Sequence, residues 1–291
     1  MNMPWRKFLL MKRIFALIVI ISFIGMIIEY GSGINDSITA NNSIEQDRLQ
    51  TIQKKGILTV ASANEIPFFH KNSQADSFVG IDADIITEIA RRLGINKIEM
   101  KEVSFANLFS ELNTDDSVDM AANGIYITPE REKIVAFTEP LYKESEVVIV
   151  PKASKINFKD DLKNAMVGVE RGTAFENLAQ NWKKSNLVKG VVIFENIPDL
   201  LAAINSGKVD AGVADSVVIN YFLKKETNLF LRTFKDYTPE LQGIIGIAVR
   251  KNDISFLNAL NEKIMDMKTD GTLYSILVGN GLDRNNVIGV K

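Results

Sequence analysis

The chain has 291 residues, of which 46% are hydrophobic and 24% charged, and its formal net charge is −2 at pH 7. This composition is typical of a globular protein with one large domain or two smaller ones, and the charge gives no reason to expect binding to nucleic acid. Because cysteine is absent and His70 is the single histidine, disulfides, thiolate nucleophiles and Cys/His zinc sites are excluded, and we expect no cofactor or metal.

Residues 1–33 have the pattern of an export signal. Basic residues between Arg6 and Arg13 precede an apolar run from Ile14 to Ile28. A membrane span needs about 20 residues, so this shorter run predicts a secretory signal peptide, with an uncleaved signal anchor as the open alternative. In both cases we expect the body of the chain to lie outside the cytoplasmic membrane, and to be held to that membrane if the segment is retained.

The chain that follows is polar at first and then alternates between strand and helix patterns. Residues 34–50 are rich in Asn and Ser and predict a tether, so we expect the fold to begin at about residue 51. Short apolar runs rich in β-branched residues then alternate with segments of helical period. The predicted elements are strand 57–62, helix 82–93, strand 97–103, helix 105–112 and strand 118–122.

A second set of the same elements predicts a second lobe. These elements are strand 166–170, helix 174–182, strand 191–194, helix 198–205 and strand 209–214. We expect the last strand, at 244–251, and the helices after residue 254 to return to the first lobe. The predicted fold class is therefore α/β with two lobes, each a mainly parallel sheet flanked by helices.

Two strands should then cross between the lobes, near Glu146–Val150 and near Gln242–Ile247. The predicted boundaries are 51–147 and 243–291 for the first lobe and 148–242 for the second. Ligands of open α/β sheets bind outside the carboxyl ends of the strands, which here would face a shared cleft that a hinge motion closes.

The loop after the third predicted strand leads into a helix start that contains an unexpected cation. Thr128 is a favourable N-cap, and Pro129 and Glu130 are favourable in the first turn. Arg131 takes the third helical position, where the helix dipole disfavours a cation by about 0.3–1 kcal/mol. Free N–H groups and a guanidinium fork would suit a carboxylate ligand. The alternative is an ion pair with Glu130 or with Glu132.

Two strand ends in the second lobe also carry polar residues. Gly172 and Thr173 follow strand 166–170 and either cap the next helix or donate hydrogen bonds to a ligand. Asp215 follows strand 209–214 and is either the N-cap of the next helix or the partner of a cation such as an ammonium group. The two roles of Asp215 are compatible, and both stay open.

The first strand is followed by an acid and two aromatic residues. Phe68 and Phe69 either line the cleft or fill the core beneath it, and the core is favoured for both. Glu65 lies just before them. His70 is expected in a solvated loop rather than at a metal.

Several stretches, taken together, resemble the extracellular solute-binding proteins of amino-acid ABC importers, family 3. The matching stretches are "GILTVASANEIPFF", "FVGIDADIITEIARRLG", "VDMAANGIYITPEREKIVAFTEPLY", "VGVERGTAFE", "LLAAINSGKVDAGVADS" and "GIAVRKNDISFLNALNEKIMDMKTDGTL". They run from Gly56 to Leu273 in the order of the family. The resemblance implies the type II periplasmic-binding-protein fold and a protein that captures an amino acid without catalysis. It also implies delivery to the permease of an ABC importer, and we expect a monomer in the periplasm or on the outer face of the membrane.

The resemblance also implies roles for single residues. Arg131 matches the arginine that clamps the α-carboxylate of the ligand, and Asp215 matches the aspartate that takes its α-ammonium. Gly172 and Thr173 match donors from the second lobe, and the loop before Arg131 completes the site. The candidate ligand-binding residues are Arg131, Asp215, Thr173, Gly172, Tyr126, Gly124, Asn123, Glu65, Phe68 and Phe105.

Three positions depart from the family pattern. Tyr126 stands where relatives have a small hydroxyl residue, so the carboxylate end is either crowded or contacted by a phenol. Ala174 stands where a second Thr is common, and Glu65 stands where relatives place an aromatic lid. Since a carboxylate favours a ligand with a second cationic or hydrogen-bonding group, we expect a polar or basic amino acid.

Other functions on the same fold give different expectations. The protein could be the ligand-binding part of a sensor, or an enzyme similar to cyclohexadienyl dehydratases with Glu65 or Asp215 as the acid. If Arg131 serves a ligand and nothing else, Arg131→Ala should abolish binding and leave the melting temperature of the free protein nearly unchanged.

Overall fold

Two β-sheets flanked by helices form the two lobes of the protein. The computed structural model describes residues 47–288. The predicted signal or anchor at residues 1–33 therefore lies outside the described residues. Within the described part of the chain, no helix is both long enough and apolar enough to cross a membrane.

The strands are, in chain order, β1 (Ile57–Ser62), β2 (His70–Lys71), β3 (Phe78–Val79), β4 (Lys97–Glu102), β5 (Met120–Ala121), β6 (Ala136–Phe137), β7 (Tyr142–Pro151), β8 (Met166–Glu170), β9 (Gly190–Phe194), β10 (Ala211–Asp215), β11 (Leu231–Thr233), β12 (Gln242–Ile245) and β13 (Ala248–Val249). The helices are α1 (Arg48–Lys55), α2 (Ile81–Arg92), α3 (Leu108–Thr114), α4 (Pro129–Glu132), α5 (Ala174–Lys184), α6 (Ile197–Asn205), α7 (Ser216–Lys225), α8 (Ile254–Thr269) and α9 (Thr272–Gly279), with 3-10 turns at Phe105–Asn107 and Lys159–Asn164.

Each lobe has its own sheet, and both sheets are mixed. The first lobe has the strand order β4-β1-β5-β13-β6, in which β1 is parallel to β4 and β5 while β13 is antiparallel to its neighbours. The second lobe has the order β11-β7-β10-β8-β9, in which β8 is parallel to β9 and β10. The antiparallel strands β13 and β7 are the ones that enter from the other lobe.

The hydrophobic pattern of α2 explains how the first lobe forms its core. Ile85, Ile86 and Ile89 are fully buried against the sheet, and they recur at helical spacing on one face. Fully burying such a side chain contributes about 1.5–3 kcal/mol. The apolar face predicted for this helix is therefore confirmed.

The fold begins earlier than the sequence predicts. Helix α1 starts at Arg48, because the side chain of Asp47 accepts a hydrogen bond from the backbone N–H of Gln50 (3.3 Å) and from the hydroxyl of Ser255 in α8 (2.7 Å). The predicted tether at 34–50 therefore extends too far. Its last residues belong to the folded body, where a helix cap and a contact distant in sequence fix them.

Two connections between the lobes run side by side. The first residues of β7 pair antiparallel with β12, with Ser145 opposite Gln242 and Tyr142 opposite Ile245. The predicted strand 244–251 is divided into β12 and β13, and the break falls at Gly246 and Ile247. Each connection therefore has a strand partner, which limits the directions in which the lobes can move apart.

A buried carboxylate in β7 holds the chain segment that leads into β12, the second of the two connections between the lobes. Glu146 in β7 is fully buried, and it accepts hydrogen bonds from the Tyr237 hydroxyl (2.7 Å) and from the backbone N–H groups of Glu240 (2.6 Å) and Leu241 (3.0 Å). Each of these donors would be left without an acceptor if the carboxylate were removed.

We expect Glu146→Ala to lower the free energy of unfolding by about 3 kcal/mol, because three donors lose their acceptor. For a protein of this size, that loss corresponds to a fall of roughly 6–12 °C in the melting temperature. Thermal unfolding followed by circular dichroism measures it. Tyr237→Phe is the matched control, since it removes one of the three bonds and should cost only about 1 kcal/mol. Equal losses in the two variants would contradict this account.

Candidate functional site

Asp82, a residue of α2, fixes the position of the loop after β5. The backbone N–H of Gly124 donates a hydrogen bond to Asp82 Oδ2 (2.7 Å), and the Tyr142 hydroxyl donates to Asp82 Oδ1 (2.9 Å). Burial raises the pKa of Asp82 to about 6, and the two hydrogen bonds act against that rise. Gly124 has a φ of +61°, and a Cβ there would meet the ring of Phe68. The position therefore requires glycine.

Arg131 lies in the single-turn helix α4 with its guanidinium buried. Thr128 caps this turn, as the sequence predicts, by accepting a hydrogen bond from the Arg131 N–H (3.3 Å). Arg131 is 9% exposed, and burial lowers its pKa to about 10 while the nearby charge of Asp215 raises it. Among residues 47–288 it forms no ion pair with Glu130 or Glu132, so the surface alternative is wrong.

The guanidinium of Arg131 bridges the two lobes in this structure. Its Nη1 donates to the carbonyl of Tyr126 (2.7 Å), and its Nη2 donates to the carbonyl of Gly172 in the second lobe (3.1 Å). The rings of Phe105 and Phe109 lie with their centroids 5.5 Å from the guanidinium carbon. The two hydrogen bonds to carbonyls use two of the five N–H donors of the guanidinium, which leaves the others for a ligand carboxylate.

Asp215 is the second charged group of the site and comes from the other lobe. It occupies the N-cap position of α7 but makes no capping hydrogen bond with its side chain. Its Oδ1 atom is buried and, within residues 47–288, has no hydrogen-bond partner. Burial and the charge of Glu144 raise its pKa well above the ordinary value, against the effect of Arg131. A buried carboxylate without a partner raises the free energy of the folded protein unless a cation or a hydrogen-bond donor binds it.

Tyr126 lies beside Asp215 rather than at the carboxylate end of the predicted site. Its ring packs edge to face on Phe175 of α5, with centroids 5.5 Å apart, and the residue is 4% exposed. Its hydroxyl is near enough to lower the Asp215 pKa, but the pair does not reach hydrogen-bond geometry, and the phenol oxygen also lacks a partner among the described residues. Burial, followed by the charge of Asp215, raises the pKa of Tyr126.

The loop after β8 meets the first lobe directly. Gly172 has a φ of +76°, and a Cβ at this position would lie 2.7 Å from the Cα of Ala106. Thr173 caps α5: its hydroxyl accepts a hydrogen bond from the N–H of Glu176 (3.3 Å) and donates one to the carbonyl of Glu170 (2.8 Å). The capping role considered for Thr173 is therefore present, and a ligand-binding role for it stays a prediction.

A cleft of about 650 Å³ opens beside this cluster, with walls from both lobes. Glu65 and Phe105 line it from the first lobe, and Glu170 lines it from the second. Asn123 donates a hydrogen bond from Nδ2 to Glu65 (2.8 Å), and burial raises the pKa of Glu65 to about 7. The volume lies within the range of small-molecule binding sites.

The structure thus brings most of the candidate residues together and separates one of them. Arg131, Tyr126 and Asp215 lie in one buried cluster, whereas Phe68 is 1% exposed and packs in the core beneath Gly124, as was favoured. Sequence reasoning missed Asp82, Phe109, Ala106 and Glu170. Glu170 carried a usable signal, because it is the charged last residue of an apolar strand whose end faces the cleft.

Comparison with known proteins identifies the family to which the chain is similar. Residues 58–278 match the family model of the bacterial extracellular solute-binding proteins, family 3. A probable histidine-binding protein of Neisseria gonorrhoeae is 31% identical over 218 residues, which cover 74% of this chain and 79% of that protein. The L-cystine-binding protein TcyA of Bacillus subtilis is 29% identical over 268 residues, which cover 91% of this chain and 95% of that protein.

A solved structure gives the same result for the fold. An ancestral arginine-binding protein bound to arginine superposes with a TM-score of 0.70 at 31% identity, covering 78% of this chain and 98% of that one. The family model covers most of the chain, and the two-lobed architecture is shared. The resemblance found in the sequence is therefore confirmed: the chain belongs to the bacterial extracellular solute-binding proteins of family 3 and has the type II periplasmic-binding-protein fold.

Proposed function

We propose that the protein captures an amino acid in the cleft between its lobes and delivers it to an ABC importer. One observation carries this proposal: the buried Arg131 guanidinium on the first lobe and the Asp215 carboxylate on the second, whose buried Oδ1 has no hydrogen-bond partner among residues 47–288, each alter the pKa of the other. Arg131 complements a ligand carboxylate, and Asp215 complements a ligand ammonium. An α-amino acid presents these two groups on one carbon atom.

The names of the relatives support an amino-acid ligand. They are called histidine-, cystine- and arginine-binding proteins, and each is named for binding rather than for catalysis. We therefore propose that the ligand leaves the site chemically unchanged. Mass spectrometry of small molecules released on denaturation tests this directly, and recovery of a product instead of the added amino acid would contradict it.

Isothermal titration calorimetry against the standard amino acids is the main test. The protein is first stripped of any retained ligand by unfolding and refolding. We expect micromolar affinity for at least one amino acid, which corresponds to about −8 kcal/mol, a free energy that an Arg clamp and an Asp partner can supply after the entropy of binding is lost. Absence of binding to every amino acid would overturn the proposal.

The importer and the location are further parts of the proposal. The family is extracellular, and we propose that this member acts as a monomer, in the periplasm or on the outer face of the membrane. Uptake of the radiolabelled amino acid by cells with and without the gene measures delivery. Unchanged uptake on deletion would argue against a transport role, whereas the titration would still report on binding.

A further inference from the structure

The cleft between the lobes is lined by acids, and lysine and arginine are absent from its lining within the described residues. Glu65 and Glu102 line it from the first lobe, and Glu170 and Glu195 line it from the second. Glu195 is 61% exposed and forms an ion pair with Arg171 (2.7 Å). A surface acid of this kind is solvated and needs no further partner.

Glu170 differs from the other acids of the cleft because it is buried and has no partner in the part of the chain that the structure describes. It is 5% exposed, although its side chain lines the cleft. Within residues 47–288, no cation or hydrogen-bond donor offsets its charge: burial raises its pKa well above the ordinary value, and the charges of Glu65, Asp215 and Glu195 raise it further. A buried carboxylate without a partner raises the free energy of the folded protein unless a cation or a hydrogen-bond donor from outside the chain binds it.

Glu65 approaches the same space from the first lobe. The Asn123 amide fixes its position, and among the neighbouring charges that of Glu65 raises the pKa of Glu170 most. Two acids, one from each lobe, therefore line the same cleft. Repulsion between them opposes closure, and a cation placed between them would reverse the sign of that interaction.

We propose that Glu170 and Glu65 form a binding site for a second cationic group of the ligand, and that this cation couples ligand binding to closure of the lobes. The inference rests on the proposed function, because it takes the α-amino and α-carboxylate groups to be held at Asp215 and Arg131. The ligand class is then an amino acid that ends in an amine, a guanidinium or a second ammonium group. Glu170 is the residue that determines this preference.

Pairs of ligands that differ in side-chain charge test the proposal. Isothermal titration calorimetry compares L-arginine with L-citrulline and L-lysine with L-norleucine on the stripped protein. We expect the charged member of a pair to bind at least about tenfold tighter, and small-angle X-ray scattering to show a smaller radius of gyration with L-arginine than with L-citrulline. In Glu170→Gln and in Glu65→Gln the preference should fall to less than about threefold.

A matched control and a stability measurement separate this effect from misfolding. Glu226→Gln removes an exposed acid of the second lobe outside the cleft and should leave the tenfold preference intact. Glu170→Gln should melt at the same temperature as the wild type or higher, because it removes a buried like charge. Lost preference in a variant that melts normally supports the site.

The outcomes also separate this inference from the proposed function. Equal affinity for the charged and neutral members in the wild type would overturn the inference while amino-acid capture stands. So would a Glu170→Gln variant that keeps the full preference. Absence of binding to all four ligands and to the standard amino acids would overturn both.

Discussion

Asp215→Asn is expected to lose amino-acid binding by at least about 100-fold while the ligand-free protein becomes more stable, because truncating one partner of a buried charge pair costs about 2–5 kcal/mol of binding. The buried Oδ1 of Asp215 has no hydrogen-bond partner among the described residues, and Arg131 and the Tyr126 hydroxyl offset the desolvation only in part, since the pKa stays well above the ordinary value. Asparagine keeps the shape and removes the charge. We expect its melting temperature to be higher by about 2–5 °C.

The pH dependence of this effect has a defined sign. Burial raises the pKa of Asp215 in the folded state above its unfolded value, so its contribution to stability is complete at low pH and is lost as the pH rises through the folded pKa. The melting temperatures of wild type and Asp215→Asn should therefore agree near pH 3.5 and diverge toward neutrality, with the variant higher. Differential scanning calorimetry across this range measures the gap.

Asp236→Asn is the control for Asp215→Asn. Asp236 is exposed and lies in the same lobe, so its substitution should alter neither binding nor the melting temperature. An Asp215→Asn variant that melts lower than the wild type and still binds would show that the carboxylate has a structural role.

Arg131→Ala is expected to abolish amino-acid binding and to destabilise the ligand-free protein at the same time. Loss of binding follows from removal of the guanidinium that faces the ligand carboxylate, and we expect at least about 100-fold weaker binding. Loss of stability follows from the contacts that Arg131 makes within the protein: the carbonyls of Tyr126 and Gly172 lose their donor, and Phe105 and Phe109 lose a packing partner. We expect about 3 kcal/mol, measured by chemical denaturation.

This second expectation corrects the one drawn from the sequence. With a ligand as the sole partner of Arg131, its removal should leave the melting temperature unchanged, but the structure gives the side chain two carbonyl partners. Lys133→Ala, in the same turn but exposed, is the control and should change neither quantity. The two site variants should thus lose binding together and move the melting temperature in opposite directions. If the melting temperatures of the two variants both rose or both fell, the roles given to Arg131 and Asp215 would be contradicted.

The fold was largely predictable because its elements have local signatures. The buried face of α2 follows from the spacing of Ile85, Ile86 and Ile89, and the start of α4 follows from Thr128 and Pro129. The features that the sequence predicted wrongly depend on contacts between residues that are far apart in the sequence. Helix α1 starts early because Asp47 meets Ser255, more than 200 residues away, and no local pattern encodes that meeting.

The sequence predicted which residues belong to the candidate site, but it did not predict which of them contact each other. Strand ends and the family resemblance identified Arg131 and Asp215 as candidates, since chemistry on α/β folds collects at the carboxyl ends of strands. The direction in which Tyr126 points was not predictable: the sequence suggested the carboxylate end, and packing on Phe175 places the phenol beside Asp215.

The sequence by itself determined the class of the protein: an α/β chain with an export-signal pattern, two sets of strands and helices, and the residues of an amino-acid clamp. Only the tertiary structure decided which charges are satisfied. Arg131 is held by a carbonyl from the other lobe, Asp82 fixes Gly124 from an adjoining helix, and Glu170 has no partner within residues 47–288. The physical reason is that the energy of a charged group depends on its burial and on the neighbours that folding brings to it. Neither can be predicted from the residues adjacent to it in the sequence.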